Sequence, residues 1–152
     1  KLSIFVPNSL LCKKMSKPIQ LSEAASIGIH ALVLISNSSD NFMNVNMIAE
    51  KTGASKNHIA KVMQTLVKSG FVSSVRGPAG GFSLAMEANE INLLDIYESI
   101  EGKIILKDCP FDKPVCPFEN CMMGGIFHKV TEELVDFLKT HTLSDMLQSE
   151  NN

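Results

Sequence analysis

The sequence predicts a mainly α-helical fold with one small β-hairpin and a long, separate C-terminal helix. Three observations predict it. A short apolar-periodic segment, a glycine and a longer amphipathic segment follow one another across residues 45–69. Two short β-prone runs flank a glycine-rich turn across residues 71–85. A further amphipathic stretch at 126–141 stands apart near the C-terminal end. Short helix, turn, longer helix and hairpin, in that order, make a winged helix-turn-helix. The last stretch reads as a dimerisation helix, because a lone amphipathic helix trailing a small domain cannot bury its apolar stripe alone.

Residues 1–14 hold Lys1, Lys13, Lys14, a short apolar run and Cys12, and they precede Met15. They are expected to be a non-native or disordered extension, with Met15 as the start. Residues 21–36, rich in Ala and aliphatic side chains, read as the first helix, and His30 is expected to sit in its core face. The polar run 36–41 is a loop. Residues 45–52 form a short helix with Val45, Ile48 and Ala49 apolar, and Gly53 turns the chain. Ser55 caps a second helix to about Ser69, whose apolar set is Ile59, Val62, Met63, Leu66 and Val67. Gly70 stops it. Residues 71–75 and 82–85 are strands, with Arg76-Gly-Pro-Ala-Gly-Gly81 as the hairpin tip. Asn92 caps a helix with Leu93, Ile96, Tyr97 and Ile100 on one face, ended by Gly102. A cysteine-containing loop follows. The final helix carries Phe127, Val130, Leu134, Phe137 and Leu138. The organisation is therefore a winged helix-turn-helix at 15–103, a cysteine loop at 104–125, and a dimerisation helix with its tail at 126–152.

A chain of 152 residues with 45% hydrophobic residues builds one domain, or a small domain with an appended element. No apolar run approaches the ~18 residues of a membrane span, so no membrane partner is expected. The four cysteines could form two disulfides. Their tight cluster, without a convincing signal peptide, favours reduced metal-binding thiols and a cytoplasmic setting.

The net charge of −2 argues against nucleic acid, but its distribution argues for it. Residues 51–86 carry five bases and no acid, whereas residues 87–101 carry five acids and no base. A local basic face on an acidic protein can bind phosphate and stay soluble. With Ile59, Val62 and Leu66 inward, Asn57, Ala60, Lys61, Gln64 and Lys68 turn outward. Asn57 and Lys61 can hydrogen-bond base edges in a major groove. Ser55, Lys56 and His58 gather at the helix N-terminus, where phosphate is favoured. Arg76 can enter a narrow minor groove. Gly77, Gly80 and Gly81 let the wing approach the sugar–phosphate backbone.

Cys109, Cys116 and Cys121 put three thiols within thirteen residues. Soft thiolates suit zinc or an iron–sulfur cluster, and both normally take four ligands. His128 is a candidate for the fourth, beside the carboxylates Asp108, Asp112 and Glu119. No catalytic constellation stands out, so the chain does not read as an enzyme. The glycines at 77–81 lie on a hairpin with no helix after them, so they are not a nucleotide-binding loop.

The runs Ile48-Ala-Glu-Lys-Thr-Gly-Ala-Ser55, Gly70-Phe-Val-Ser-Ser-Val-Arg-Gly-Pro-Ala-Gly-Gly-Phe82 and Ile91-Asn-Leu-Leu-Asp-Ile-Tyr-Glu-Ser-Ile-Glu-Gly102 resemble the Rrf-two family of bacterial winged-helix transcriptional regulators, which are IscR/NsrR/CymR-like. The cysteine trio and the ending Thr142-Leu-Ser-Asp-Met-Leu147 match its layout too. The resemblance spans residues 19–147. It implies a homodimeric repressor or activator on a double-stranded DNA operator, with an iron–sulfur cluster, two-iron or four-iron, tuning DNA binding. Such a regulator senses cluster, redox or nitric oxide status through Cys109, Cys116 and Cys121. The alternatives are a regulator stabilised by zinc, or a cluster-free one controlled by a protein partner. By position, Asn57, Ala60 and Lys61 match the base-reading stretch and Arg76 the minor-groove contact. Ala60 stands where some members carry an acid that gates DNA choice. Gly124 stands where some members have a histidine ligand. Where others use an acid of the partner's first helix, this chain has Ser26, with Glu23 one turn earlier.

Overall fold

The computed structural model describes residues 21–77, 80–106, 123 and 125–148. The extension expected at 1–14 and Cys109, Cys116 and Cys121 lie outside these residues.

Helix α1 (Glu23–Ser36) starts where the Ser22 hydroxyl accepts the Ala25 N–H at 2.9 Å. Its apolar residues are dense enough to bury Ala31, Leu32 and Ile35 completely. His30 is a correction to the sequence reading: it is exposed, and its Nδ1 hydrogen-bonds the Ser26 carbonyl at 2.7 Å. Glu23, Ser26 and His30 recur at three- and four-residue spacing, so they share one outer stripe of an otherwise apolar helix. Gly28 faces α4 (Leu93–Glu101), where an added Cβ would collide with the Ile100 side chain. The two helices pack closely because that side chain is absent.

Helices α2 (Val45–Thr52) and α3 (Lys56–Lys68) are joined by Gly53, whose φ of 70° ends α2 in the left-handed region. Ser55 caps α3 by accepting the His58 N–H at 3.2 Å. Ile59, Val62, Met63 and Leu66 bury the inner face of α3. The wing is β2 (Val72–Val75) and β3 (Gly81–Leu84), antiparallel, with Val72 opposite Leu84 and Val75 opposite Gly81. A strand absent from the sequence reading, β1 (Phe42–Met43), pairs with β3 on its other side, giving the order β1-β3-β2.

Helix α5 (Ile126–Thr140) packs on the domain through buried Leu138 and half-buried Leu134. The sequence reading placed only a tail after it. Instead α6 (Leu143–Gln148) folds back, with Leu143 fully buried in the same core as Leu32, Met63 and Ile96. The backbone of α6 is tied in as well. Leu143 N–H donates to the Ile91 carbonyl at 2.8 Å, and Ser144 N–H to that of Ala88 at 3.1 Å. Among the described residues no helix is long and apolar enough to cross a membrane.

Candidate nucleic-acid interface

The outer face of α3 is built by the same periodicity that buries its inner face. Asn57, Lys61, Gln64 and Lys68 recur at i, i+4, i+7 and i+11, so they form one line along the helix, and all four are exposed. Ala60 lies half-buried beside that line. At its C-terminal end the line runs into the wing. Gln64, Lys68, Arg76, Gly77, Gly80 and Gly81 line one cleft of about 660 Å³. Asn44, Asn46 and Ser74 complete its polar wall, and the sequence reading missed them. Asn44 could have been found, since it stands directly before the apolar positions of α2 and caps that helix through the Met47 N–H at 3.0 Å. Arg76 is exposed at the end of β2, next to the exposed Val75.

The N-terminal end of α3 is arranged differently. Lys56 is exposed. The Ser55 hydroxyl is committed to the helix cap. His58 is half-buried and turns towards α1, its Nδ1 3.6 Å from the Glu23 carboxylate, which is 71% exposed. The structure therefore joins the expected base-reading stripe to the wing, while His58 faces an acid from another helix. The Glu23 stripe is sequence-remote from α3 and could not be paired with it before folding.

Two of the wing's glycines, Gly80 and Gly81, answer to packing inside the chain, while Gly77 holds a φ of 124°. An added Cβ at Gly80 would collide with the Val75 carbonyl, and one at Gly81 would stand 2.5 Å from the Phe42 ring and 2.7 Å from the Met43 carbonyl. Gly80 N–H donates to the Gly77 carbonyl at 2.9 Å, closing the tip.

His128 lies on the first turn of α5 and is half-buried. Among the described residues no group of three or more His, Cys, Asp or Glu side chains is placed to hold a metal ion.

Known proteins with this arrangement regulate transcription. The family model Rrf2, described as an iron-dependent transcriptional regulator, matches residues 21–149. The HTH-type transcriptional regulator BadM of Rhodopseudomonas palustris is 34% identical over 123 residues, covering 81% of this chain and 75% of that protein. The structure of T. potens IscR aligns with a TM-score of 0.67 at 26% identity, over 88% of this chain and 89% of that one. The B. subtilis global cysteine regulator CymR shares the fold, with a TM-score of 0.66 at 21% identity over 86% of this chain and 98% of its own. These are regulators and not enzymes, and the chain belongs to the Rrf2 family of winged-helix transcriptional regulators.

Proposed function

We propose that the chain acts as a homodimer on double-stranded operator DNA, and that Cys109, Cys116 and Cys121 hold an iron–sulfur cluster governing that binding. The observation that carries the DNA part is the single exposed line of Asn57, Lys61, Gln64 and Lys68 running into Arg76, within a segment that has no acid. Set in a major groove, that line offers Asn57 and Gln64 to adenine edges and Lys61 to guanine, and Ala60 offers a methyl to thymine. Lys56, with the α3 N-terminus, takes phosphate, as does Ser55 through its backbone. His58 adds charge there when protonated, in competition with Glu23. The wing carries Arg76 into the adjoining minor groove, with Gly77, Gly80 and Gly81 against the backbone. A chromosomal operator places this work in the cytoplasm.

The cysteine loop fits the cluster by the chemistry of its donors: three thiolates in thirteen residues supply three of the four ligands that iron–sulfur clusters normally take. When bound, such a cluster supplies a centre reactive towards oxidants and nitric oxide. The chain's own part is to hold it with Cys109, Cys116 and Cys121 and to link the loop directly to α5, the pairing helix.

Two measurements test the reading. Lys61→Ala and Arg76→Ala should each weaken binding to a selected operator, Lys61→Ala by about 1–3 kcal/mol. Wild-type affinity in both would remove the docking. Anaerobically purified protein should contain iron and sulfide, both lost in Cys109→Ala, Cys116→Ala and Cys121→Ala. Zinc, or no metal at all, in the anaerobic wild type would leave a regulator without the cluster.

A further inference from the structure

We infer that Asn92 is a positioning residue that sets the spacing between the two operator half-sites. The inference rests on the paired binding through α5 proposed above. Asn92 stands directly before α4 and makes two hydrogen bonds of opposite sense. Its Oδ1 accepts the Leu94 N–H at 2.9 Å and so caps α4. Its Nδ2 donates to the Lys139 carbonyl at 2.7 Å, in the last turn of α5. One partner offers only an N–H and the other only an oxygen, so the amide has one possible orientation. Carbonyls in the last turn of a helix have no partner within it. Asn92 supplies one from 47 residues away.

The backbone around this amide makes the corner stiff. Leu93 N–H donates to the His141 carbonyl at 3.1 Å, and Asn92 pairs with Thr142 as an antiparallel bridge. Beyond the corner, α4 buries Leu93 and Ile96 in the core that also holds Ile59 and Met63 of α3. A continuous set of packed and hydrogen-bonded groups thus runs from α5 through Asn92 and α4 to the recognition helix. When two copies pair along α5, the angle between α5 and α4 decides where each α3 meets the duplex. Half-sites must then be separated by a matching length, about one helical turn or a multiple. Loosening the Asn92 tie frees that angle without touching a single base-facing side chain.

Asn92→Asp separates the two roles. Asp is as good a helix cap as Asn. Its second oxygen, however, would meet the Lys139 carbonyl as acceptor against acceptor. Asn92→Ser keeps a capping oxygen without the charge and serves if Asn92→Asp does not fold. The experiment measures the full chain on a selected operator, on that operator with its spacer altered by one or two base pairs, and on an isolated half-site. Wild type should lose about tenfold in affinity per misplaced base pair, the scale of one lost base contact. The variant should match wild type on the half-site and lose less than about threefold across the spacer series. Its Leu93 and Leu143 amides should also exchange hydrogen faster than in wild type. A variant that keeps a sharp wild-type optimum overturns the inference and leaves the paired reading standing. Wild type that is monomeric, or indifferent to spacing, overturns the paired reading and the inference with it.

Discussion

Gly81 shows how one absent side chain seats the wing. A methyl there would press on the Phe42 ring, which can swing, and on the Met43 carbonyl, which belongs to the backbone of β1 and cannot. Gly81→Ala should therefore destabilise the domain by about 1–3 kcal/mol, the usual scale of overpacking. A thermal melt checks this; an unchanged midpoint would show that β1 yields freely. Asp145 acts at the other end of the chain. Its carboxylate accepts the Thr142 N–H at 2.7 Å and the Thr142 hydroxyl at 2.9 Å. The backbone N–H first, then the hydroxyl, hold its pKa below the ordinary carboxylate value. A depressed folded-state pKa means that the unfolded chain takes up the proton first. The stabilisation is then present above the unfolded pKa and is lost as pH falls through the folded one. The gap in melting temperature between wild type and Asp145→Asn should shrink as pH drops from neutral to below about 4. A gap constant with pH would mean that this pair contributes nothing to stability.

At the scale of elements, α5 carries two apolar stripes. Leu138 is buried against the domain, and half-buried Leu134 packs there too. Ile126, Val130 and Phe137 recur at i, i+4 and i+11 and form a second line, along which Ile126 and Phe137 are each 47% exposed. An exposed apolar line on a helix already anchored to its own domain fits a second copy of that helix. The double variant Ile126→Asp/Phe137→Asp should be a folded monomer by light scattering and circular dichroism, where wild type should be a dimer. A dimeric variant would move the pairing surface elsewhere. Neither aspartate enters the core, so loss of fold is not expected. The wing behaves as an element too: β3 is its central strand, flanked by β1 and β2, and Arg76 at the end of β2 shares a cleft with Gln64 and Lys68 of α3.

For the whole molecule, the described core closes through α1, α3, α4 and α6, with residues as distant as Leu32 and Leu143 in one cluster. This described core contains no cysteine, and it should form without a bound metal. Cys109→Ala, Cys116→Ala and Cys121→Ala should therefore melt cooperatively, within a few degrees of the apo wild type. A non-cooperative melt would make the loop part of the folding unit. Much of this architecture is legible in the chain because its signals are local. Ser55, Asn92 and Gly53 cap or stop helices through their own neighbours, and the three- and four-residue periodicity of Ile59, Val62 and Leu66 determines the outward line Asn57–Lys61–Gln64 at the same time. The winged helix-turn-helix and its candidate base-reading face follow from those signals alone. Strand β1 is two residues long, too short for any period to register, and exists because β3 offers it an edge. His30 looks like a core residue in an apolar run, yet only the packing of α1 against α3 and α4 decides which stripe faces outward. The Glu23–His58 contact, the return of α6 into the core and the second hydrogen bond of Asn92 join residues 35 or more positions apart. Nothing in a local pattern encodes such pairings; they arise when burial of the shared core brings the partners within reach.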